Sequence, residues 1–294
     1  MYELIQVSEH DYYIDCPAKI GLVRTGENEV VLIDSGNDKD AGKKVFKILN
    51  MNGWQLKAIY NTHSHADHIG GNRFLQEKTC CQVFAPGMEC VYTISPELES
   101  MGLYGGLPFR ELQNKFLMAQ PSDAAPLTTA VLPEGWEIID LPGHSFDMVG
   151  FRTADGTVYA ADSVSSEETL KKYGIGYMWH PGKALESLEM LKNVRGKVFI
   201  PSHAAATDSM NELADINIAA IQQVGECIVG LCKTPVSLEE ILKALFDRYA
   251  LTMSAQQYVL IGSTVRSYLS WLYETGRVIF EFADNRMLWR IKAD

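Results

Sequence analysis

Within Thr62-His63-Ser64-His65-Ala66-Asp67-His68 stand three imidazoles and a carboxylate, directly after the apolar run Leu56-Lys57-Ala58-Ile59-Tyr60. That run reads as a short buried strand, so the cluster lies where the strand ends and can turn several side chains toward one point. Neutral imidazole nitrogens with a carboxylate oxygen suit zinc or a similar borderline divalent metal. A solvated polar loop is the alternative reading, and so many metal-capable side chains in so short a span weigh against it.

The other histidines extend the pattern. The chain has seven, three of them in the cluster. Trp136 to Leu141 leads to His144, Lys197 to Ile200 leads to His203, and Thr157 to Ala161 delivers Asp162 in the same way. Together these residues would give each of two metals about three protein ligands and leave a position for water, as in catalytic rather than structural sites. Tyr177 and His180 occupy a loop downstream of Asp162 that can reach a pocket mouth, which makes them candidate substrate contacts; a surface aromatic cluster is the competing reading. Asp34 and Asp140 are candidate hydrogen-bond partners for the ligand imidazoles. His10, between Glu9 and Asp11, reads as solvated surface.

Taken in order, His63-x-His65-x-Asp67-His68, His144, Asp162 and His203 resemble the metallo-β-lactamase superfamily of dinuclear hydrolases. Asp34-Ser35-Gly36, after Glu29 to Ile33, also resembles the family's early strand and turn. The resemblance implies an α/β protein built as a four-layer αββα sandwich. It implies one metal on His63, His65 and His144, a second on Asp67, His68 and His203, and Asp162 bridging them. Secreted β-lactamases of this type typically carry a cysteine where Asp162 stands, so the aspartate looks more like the glyoxalase II, lactonase and nuclease branches. The implied cofactors are two divalent metal ions, zinc first, with iron or manganese as alternatives. The implied activity is hydrolysis of a small ester, thioester or lactone by a metal-bridging hydroxide, with Asp67 and Asp162 as catalytic residues that orient it and relay its proton. Alternatives are a phosphodiesterase or nuclease, and a persulfide dioxygenase with one iron on His63, His144 and Asp162. A metal or ligand sensor is more remote.

Charge bears on the choice. The net charge of −11 opposes phosphate neutralisation, and there is no basic run or aromatic–basic interleaving, so a nucleic-acid partner is disfavoured and a small-molecule substrate expected. No apolar run approaches the ~20 residues that span a bilayer, so no membrane association is expected. Six cysteines without a C-x-x-C pair, behind an N-terminus that lacks a signal-peptide pattern, read as reduced thiols of a cytoplasmic protein.

The elements that must position the cluster follow from periodicity. Tyr12 to Ile14, Ile20 to Arg24 and Glu29 to Ile33 predict an antiparallel meander, and Asp38 to Asn50 a helix capped by Asn37 or Asp38 and stopped by Gly53. Alternating residues around Asp155-Gly156 predict a hairpin with a two-residue turn whose second strand ends at Asp162. Lys183 to Asn193 reads as a helix. Two facing sheets with helices outside account for residues 1–209, taken as the catalytic domain. Residues 86–126, rich in Met, Leu, Tyr and Phe, form an insertion, either packed on the core or acting as a lid with Gly105-Gly106 as hinge. Residues 210–294 predict three helices and a hairpin across Asp284-Asn285, a small α+β module resembling a winged helix. With eleven Asp/Glu against eight Lys/Arg in residues 208–294, the module is acidic. Packing, pocket closure or pairing of two copies as a homodimer suits it better than DNA binding.

Overall fold

The computed structural model describes residues 2–292. The meander is present: β1 (Glu3–Gln6), β2 (Asp11–Asp15), β3 (Ile20–Arg24) and β4 (Glu29–Ile33) pair antiparallel in sequence order. Helix α1 (Lys39–Asn52) follows, its first amides bound by the Asp38 carboxylate and its end closed by Gly53 at φ 69°. It carries the chain to β5 (Gln55–Tyr60), which lies parallel to β4. The short α2 (Ala66–Ile69) and α3 (Asn72–Thr79) precede β6 (Gln82–Ala85). Then α4 (Gly87–Ile94) and α5 (Glu97–Tyr104) lead to β7 (Ala125–Pro126), which completes a seven-stranded sheet ordered as in the sequence.

The second sheet holds β8 (Glu137–Asp140), β9 (Val149–Arg152), β10 (Thr157–Ser165) and β11 (Val198–His203), in the order β11-β10-β9-β8. The turn between β9 and β10 departs from expectation. Thr153 N donates to Thr157 O at 2.9 Å, so residues 154–156 form a three-residue loop in which Gly156, at φ 94°, takes the left-handed position. Between β10 and β11 come α6 (Glu167–Tyr173) and α7 (Pro181–Leu191).

The inner faces of the sheets meet through Val31, Ile33, Tyr60 and Phe84 on one side and Val149, Phe151, Tyr159 and Ile200 on the other. Val45 and Leu49 of α1 and Leu75 of α3 cover the first sheet's outer face. Helix α7 covers the second sheet's, giving the αββα layering. The chain ends with α8 (Asn211–Leu231), α9 (Leu238–Arg248), α10 (Ala255–Glu274), β12 (Val278–Ala283) and β13 (Arg286–Ile291), in the order the sequence predicts. Ser237 and Glu240 form a capping box, and Asp284 and Asn285, at φ 49° and 59°, make the turn.

The apolar core does not break at residue 210. Leu188 and Leu191 of α7 share one buried cluster with Ile221 and Val224 of α8 and Val265 and Leu269 of α10. Within residues 86–126, Leu103, Leu112 and Leu117 pack on Val259 of α10, and Gly105 caps α5 at φ 76°. All six cysteines are free thiols, and among the described residues no helix is long and apolar enough to cross a membrane.

Candidate metal centre

Four strand ends reach the same rim of the sandwich. Strand β5 delivers Thr62, His63 and His65, and the turn into α2 adds Asp67 and His68. His144 stands beyond β8, Asp162 lies on β10, and His203 is the last residue of β11. Asp162 is aimed by a break in its own strand. Ala161 sits in the left-handed region at φ 50°, and the β10–β11 register shifts on both sides of it. Such backbone costs a residue with a Cβ on the order of 1–3 kcal/mol, and surrounding packing holds it there.

Two donor groups result: His63, His65 and His144, and Asp67, His68, Asp162 and His203, the ligand atoms of each lying within 4.8 Å of one another. In the first, His65 Nδ1 is 3.0 Å from both His63 Nε2 and His144 Nε2. In the second, Asp162 Oδ2 is 3.2 Å from His203 Nε2, and Asp67 Oδ2 is 3.3 Å from the same nitrogen. Asp162 also reaches the first group, 3.5 Å from His144 Nε2 and 4.0 Å from His63 Nε2. All seven ligands expected from the sequence are therefore brought together.

The far sides of the rings are held. His68 Nδ1 lies 2.8 Å from Asp34 Oδ2, and His203 Nδ1 lies 3.0 Å from Pro17 O. Thr62 Oγ1 donates to Asp34 Oδ2 at 2.8 Å and sits 3.0 Å from His63 Nδ1, so its proton is engaged and His63 Nδ1–H donates to it. Each contact leaves Nε2 facing the cluster. A metal fits this donor set: His68 Nε2 and Asp162 Oδ1, 3.1 Å apart, are buried and neither makes a hydrogen bond. Unpartnered buried groups are costly, and a cation would complete both.

Other residues are placed differently from expectation. Asp140 is exposed and supports no ligand; Asp34 alone has that role, because β8 ends before its chain turns inward. His180 leaves the list of substrate contacts. Its Nδ1 accepts from Lys183 N at 3.2 Å, making it the N-cap of α7. Tyr177 does face the cluster, its ring centroid 5.1 Å from that of His65 and 5.8 Å from that of His144. His10 is exposed and pairs with Asp155.

Sequence reasoning missed two carboxylates from residues 86–126. Glu89 of α4 is fully buried and accepts four hydrogen bonds: Ser64 N at 3.0 Å, Ser64 Oγ at 2.6 Å, Ser145 Oγ at 2.6 Å and Asp147 N at 3.0 Å. It ties the His63–His65 loop to the His144 loop. The available signal was a lone acid in Gly87-Met88-Glu89-Cys90-Val91, an otherwise apolar stretch after a strand. Glu99 of α5 stands 3.9 Å from His65 Nε2, behind the ring. Burial, aided by the nearby Glu89, pushes its carboxyl up to about 8.

The electrostatics divide the two groups. Burial pushes His63 well below the usual imidazole range, and His65 and His144 down to about 4. The Asp162 charge lifts His203 to about 10; burial opposes the charge on His68, yet Asp162, Asp67 and Asp34 together raise it. In protein stripped by chelator these shifts predict a stability optimum. Between about pH 4 and 6.5 the unfolded chain binds more protons than the native one at His63, His65 and His144, so stability rises with pH. Glu99 opposes this with a single proton. Above 6.5 the native state retains protons on His68 and His203 that the unfolded chain has lost, so stability falls toward pH 10. Denaturant midpoints of the stripped protein should peak near pH 6.5; a midpoint still climbing from pH 7 to 9 would contradict the assignment.

The ligands open onto a cavity of about 580 Å³, lined from the sandwich by His65, Asp67, His144 and Asp162 and from residues 86–126 by Glu99, Lys115 and Phe116. Helices α8 and α10 close its other side.

Among curated proteins, the chain is 30% identical over 149 residues to a hydroxyacylglutathione hydrolase of Methylobacillus flagellatus, covering 50% of this chain and 48% of that protein. It is 26% identical over 173 residues to the enzyme of that name from Albidiferax ferrireducens, covering 56% and 53%. The chain thus spans about half the length of the curated relatives it matches. In structure it is similar to a metallo-β-lactamase family protein from Thermus thermophilus, with TM-score 0.72, 18% identity and coverage of 99% of this chain and 98% of the other. A β-lactamase domain protein from Burkholderia ambifaria gives TM-score 0.71 at 16% identity, covering 98% and 93%. Residues 13–203, which hold every ligand of the two groups, match the family model described as metallo-beta-lactamase superfamily, and the chain belongs to that superfamily.

Proposed function

We propose that this protein hydrolyses a small thioester, ester or lactone using two divalent cations, one on His63, His65 and His144 and one on Asp67, His68 and His203, with Asp162 shared. The observation that carries this reading is the Asp162 carboxylate, within 4.0 Å of a nitrogen from each donor group and on the wall of the cavity. Similarity to proteins named hydroxyacylglutathione hydrolase supports a thioester in particular. Imidazole nitrogens with carboxylate oxygens suit zinc, with iron or manganese as alternatives. Cations held there would bring the pKa of a water toward neutrality and polarise the substrate carbonyl.

The chain's own residues then do the following. Asp67 and Asp162 accept a proton from the attacking water and fix the direction of its oxygen. That oxygen bonds to the acyl carbon, the C–S or C–O bond breaks, and the departing atom takes the proton back, leaving a carboxylic acid and a thiol or alcohol. Burial raises the Tyr177 phenol well above its ordinary range, so it stays protonated and can donate to the acyl oxygen. Glu99, also protonated at neutral pH, sits behind the His65 ring, 3.9 Å from its Nε2.

Metal analysis combined with a substrate panel tests the reading. About two zinc ions per chain together with hydrolysis of a simple acyl thioester is the expected result. One iron per chain with oxygen consumption on a persulfide would replace it with the dioxygenase. Turnover confined to phosphodiesters would favour the nuclease branch, which the acidic balance opposes.

A further inference from the structure

The cavity beside the metal ligands changes character along its wall. Asn37, Glu99 and Lys115 line it on one side of the ligand cluster. Much of the remaining lining comes from the apolar core: Leu141, Met148, Ala184, Ile221, Val224 and Ile261 all line it and each is 7% exposed or less. These residues come from the sandwich and from α8 and α10, so the chamber exists only because the last third of the chain packs there.

Three of the polar side chains on the same wall have their hydrogen-bonding atoms committed to backbone, while Ser165, Tyr173, Gln256 and Gln257 also line the cavity. Asn217 accepts from Ser165 N at 3.0 Å and donates to Ser165 O at 2.9 Å. Ser187 Oγ donates to Pro142 O at 2.8 Å, and Tyr268 OH donates to Ile221 O at 3.2 Å. Ser163 differs: its buried hydroxyl has no hydrogen-bond partner, and it is the neighbour of Asp162. At about 580 Å³ the whole cavity falls among ligand sites rather than packing voids.

We infer that this chamber receives a medium-length, unbranched acyl chain, so that the substrate is the thioester or ester of an aliphatic acid. The inference rests on the hydrolase reading for its chemistry but on the lining for its substrate class. A polar acyl group would leave its own donors and acceptors unpaired against this wall, at a cost that a hydrocarbon avoids. Each methylene seated there raises kcat/KM about fourfold, the equivalent of roughly 0.8 kcal/mol at 1.4 kcal/mol per tenfold.

The test uses the full-length metal-loaded protein and acyl thioesters of one thiol, N-acetylcysteamine, from acetyl through butyryl, hexanoyl and octanoyl to decanoyl. The expected series rises with chain length until the chamber is full. Ala220→Trp and Leu260→Trp, on partly buried lining positions of α8 and α10, each lower the decanoyl-to-acetyl ratio of kcat/KM at least tenfold, with melting temperature as the check on folding. Calorimetric titration with 1-butanol and 1-octanol reads the chamber without turnover: octanol binds more tightly, and both substitutions remove the preference. A flat or falling acyl series in an active enzyme overturns the assignment of the acyl chain. Equal binding of the two alkanols, or a preference that survives both substitutions, overturns the chamber itself. Failure to hydrolyse even the acetyl thioester, with the octanol preference intact, sinks the hydrolase reading alone.

Discussion

Asp162→Ala is expected to abolish turnover: thioester hydrolysis falls on the order of a thousandfold or more, equivalent to roughly 4 kcal/mol of lost transition-state stabilisation. Bound metal should drop from two ions to one or none. Four imidazoles, of His63, His68, His144 and His203, have Nε2 within 4.0 Å of this one carboxylate. Without it His68 and His203 lose a major part of the negative charge that faces them, and neither donor group retains the shared oxygen. Folding should survive, because Asp162 supports the centre rather than the inter-sheet core, so far-ultraviolet circular dichroism should be nearly unchanged. Asp162→Asn keeps the shape and removes the charge, which separates coordination from packing. Near-normal rates with two metals retained in the alanine variant would end the proposed assignment.

Glu89→Ala should have the largest effect on stability among single changes near the centre. Its carboxylate satisfies four donors from two ligand loops in a fully buried position, and alanine leaves all of them without a partner. Unsatisfied buried groups cost roughly 1–3 kcal/mol each, so a loss of at least about 3 kcal/mol in denaturant unfolding is expected even after partial relaxation. Metal affinity at His63, His65 and His144 should weaken about 10- to 100-fold, as when an imidazole's support is removed. Asp67, His68 and His203 should be affected less, since Asp34 and Pro17 hold that side. Glu89→Gln retains one acceptor oxygen and should recover part of both losses. An alanine variant within about 1 kcal/mol of the parent, with unchanged metal content, would show that the ligand loops hold themselves.

The metal ligands were legible because each follows a short apolar strand, and strand periodicity is a local property. Helix limits at Asp38 and Gly53 were legible for the same reason: capping acts over a few residues. The misreadings arose where tertiary contacts decide. Glu89 looks like any acid near a helix start, and only folding places Ser64, Ser145 and Asp147 around it. His180 looked like a pocket residue because it follows Tyr177, yet its local geometry made it a helix cap. Asp140 precedes the inward turn that brings His144 to the centre, and so remains in solvent. The sequence showed a change of pattern near residue 210 and suggested a separate module. The side chains of α7, α8 and α10 nevertheless close over one another without a seam, which a linear reading cannot show.

That seamless packing has a bearing on how the protein is made. His203, the last ligand, is synthesised before α8 and α10, so every metal donor precedes the helices that wall the chamber, and the side of α7 that those helices cover waits for them. During that interval the growing polypeptide presents a sticky surface that later residues must cover, and the timing of its completion falls to the segment farthest from the chemistry.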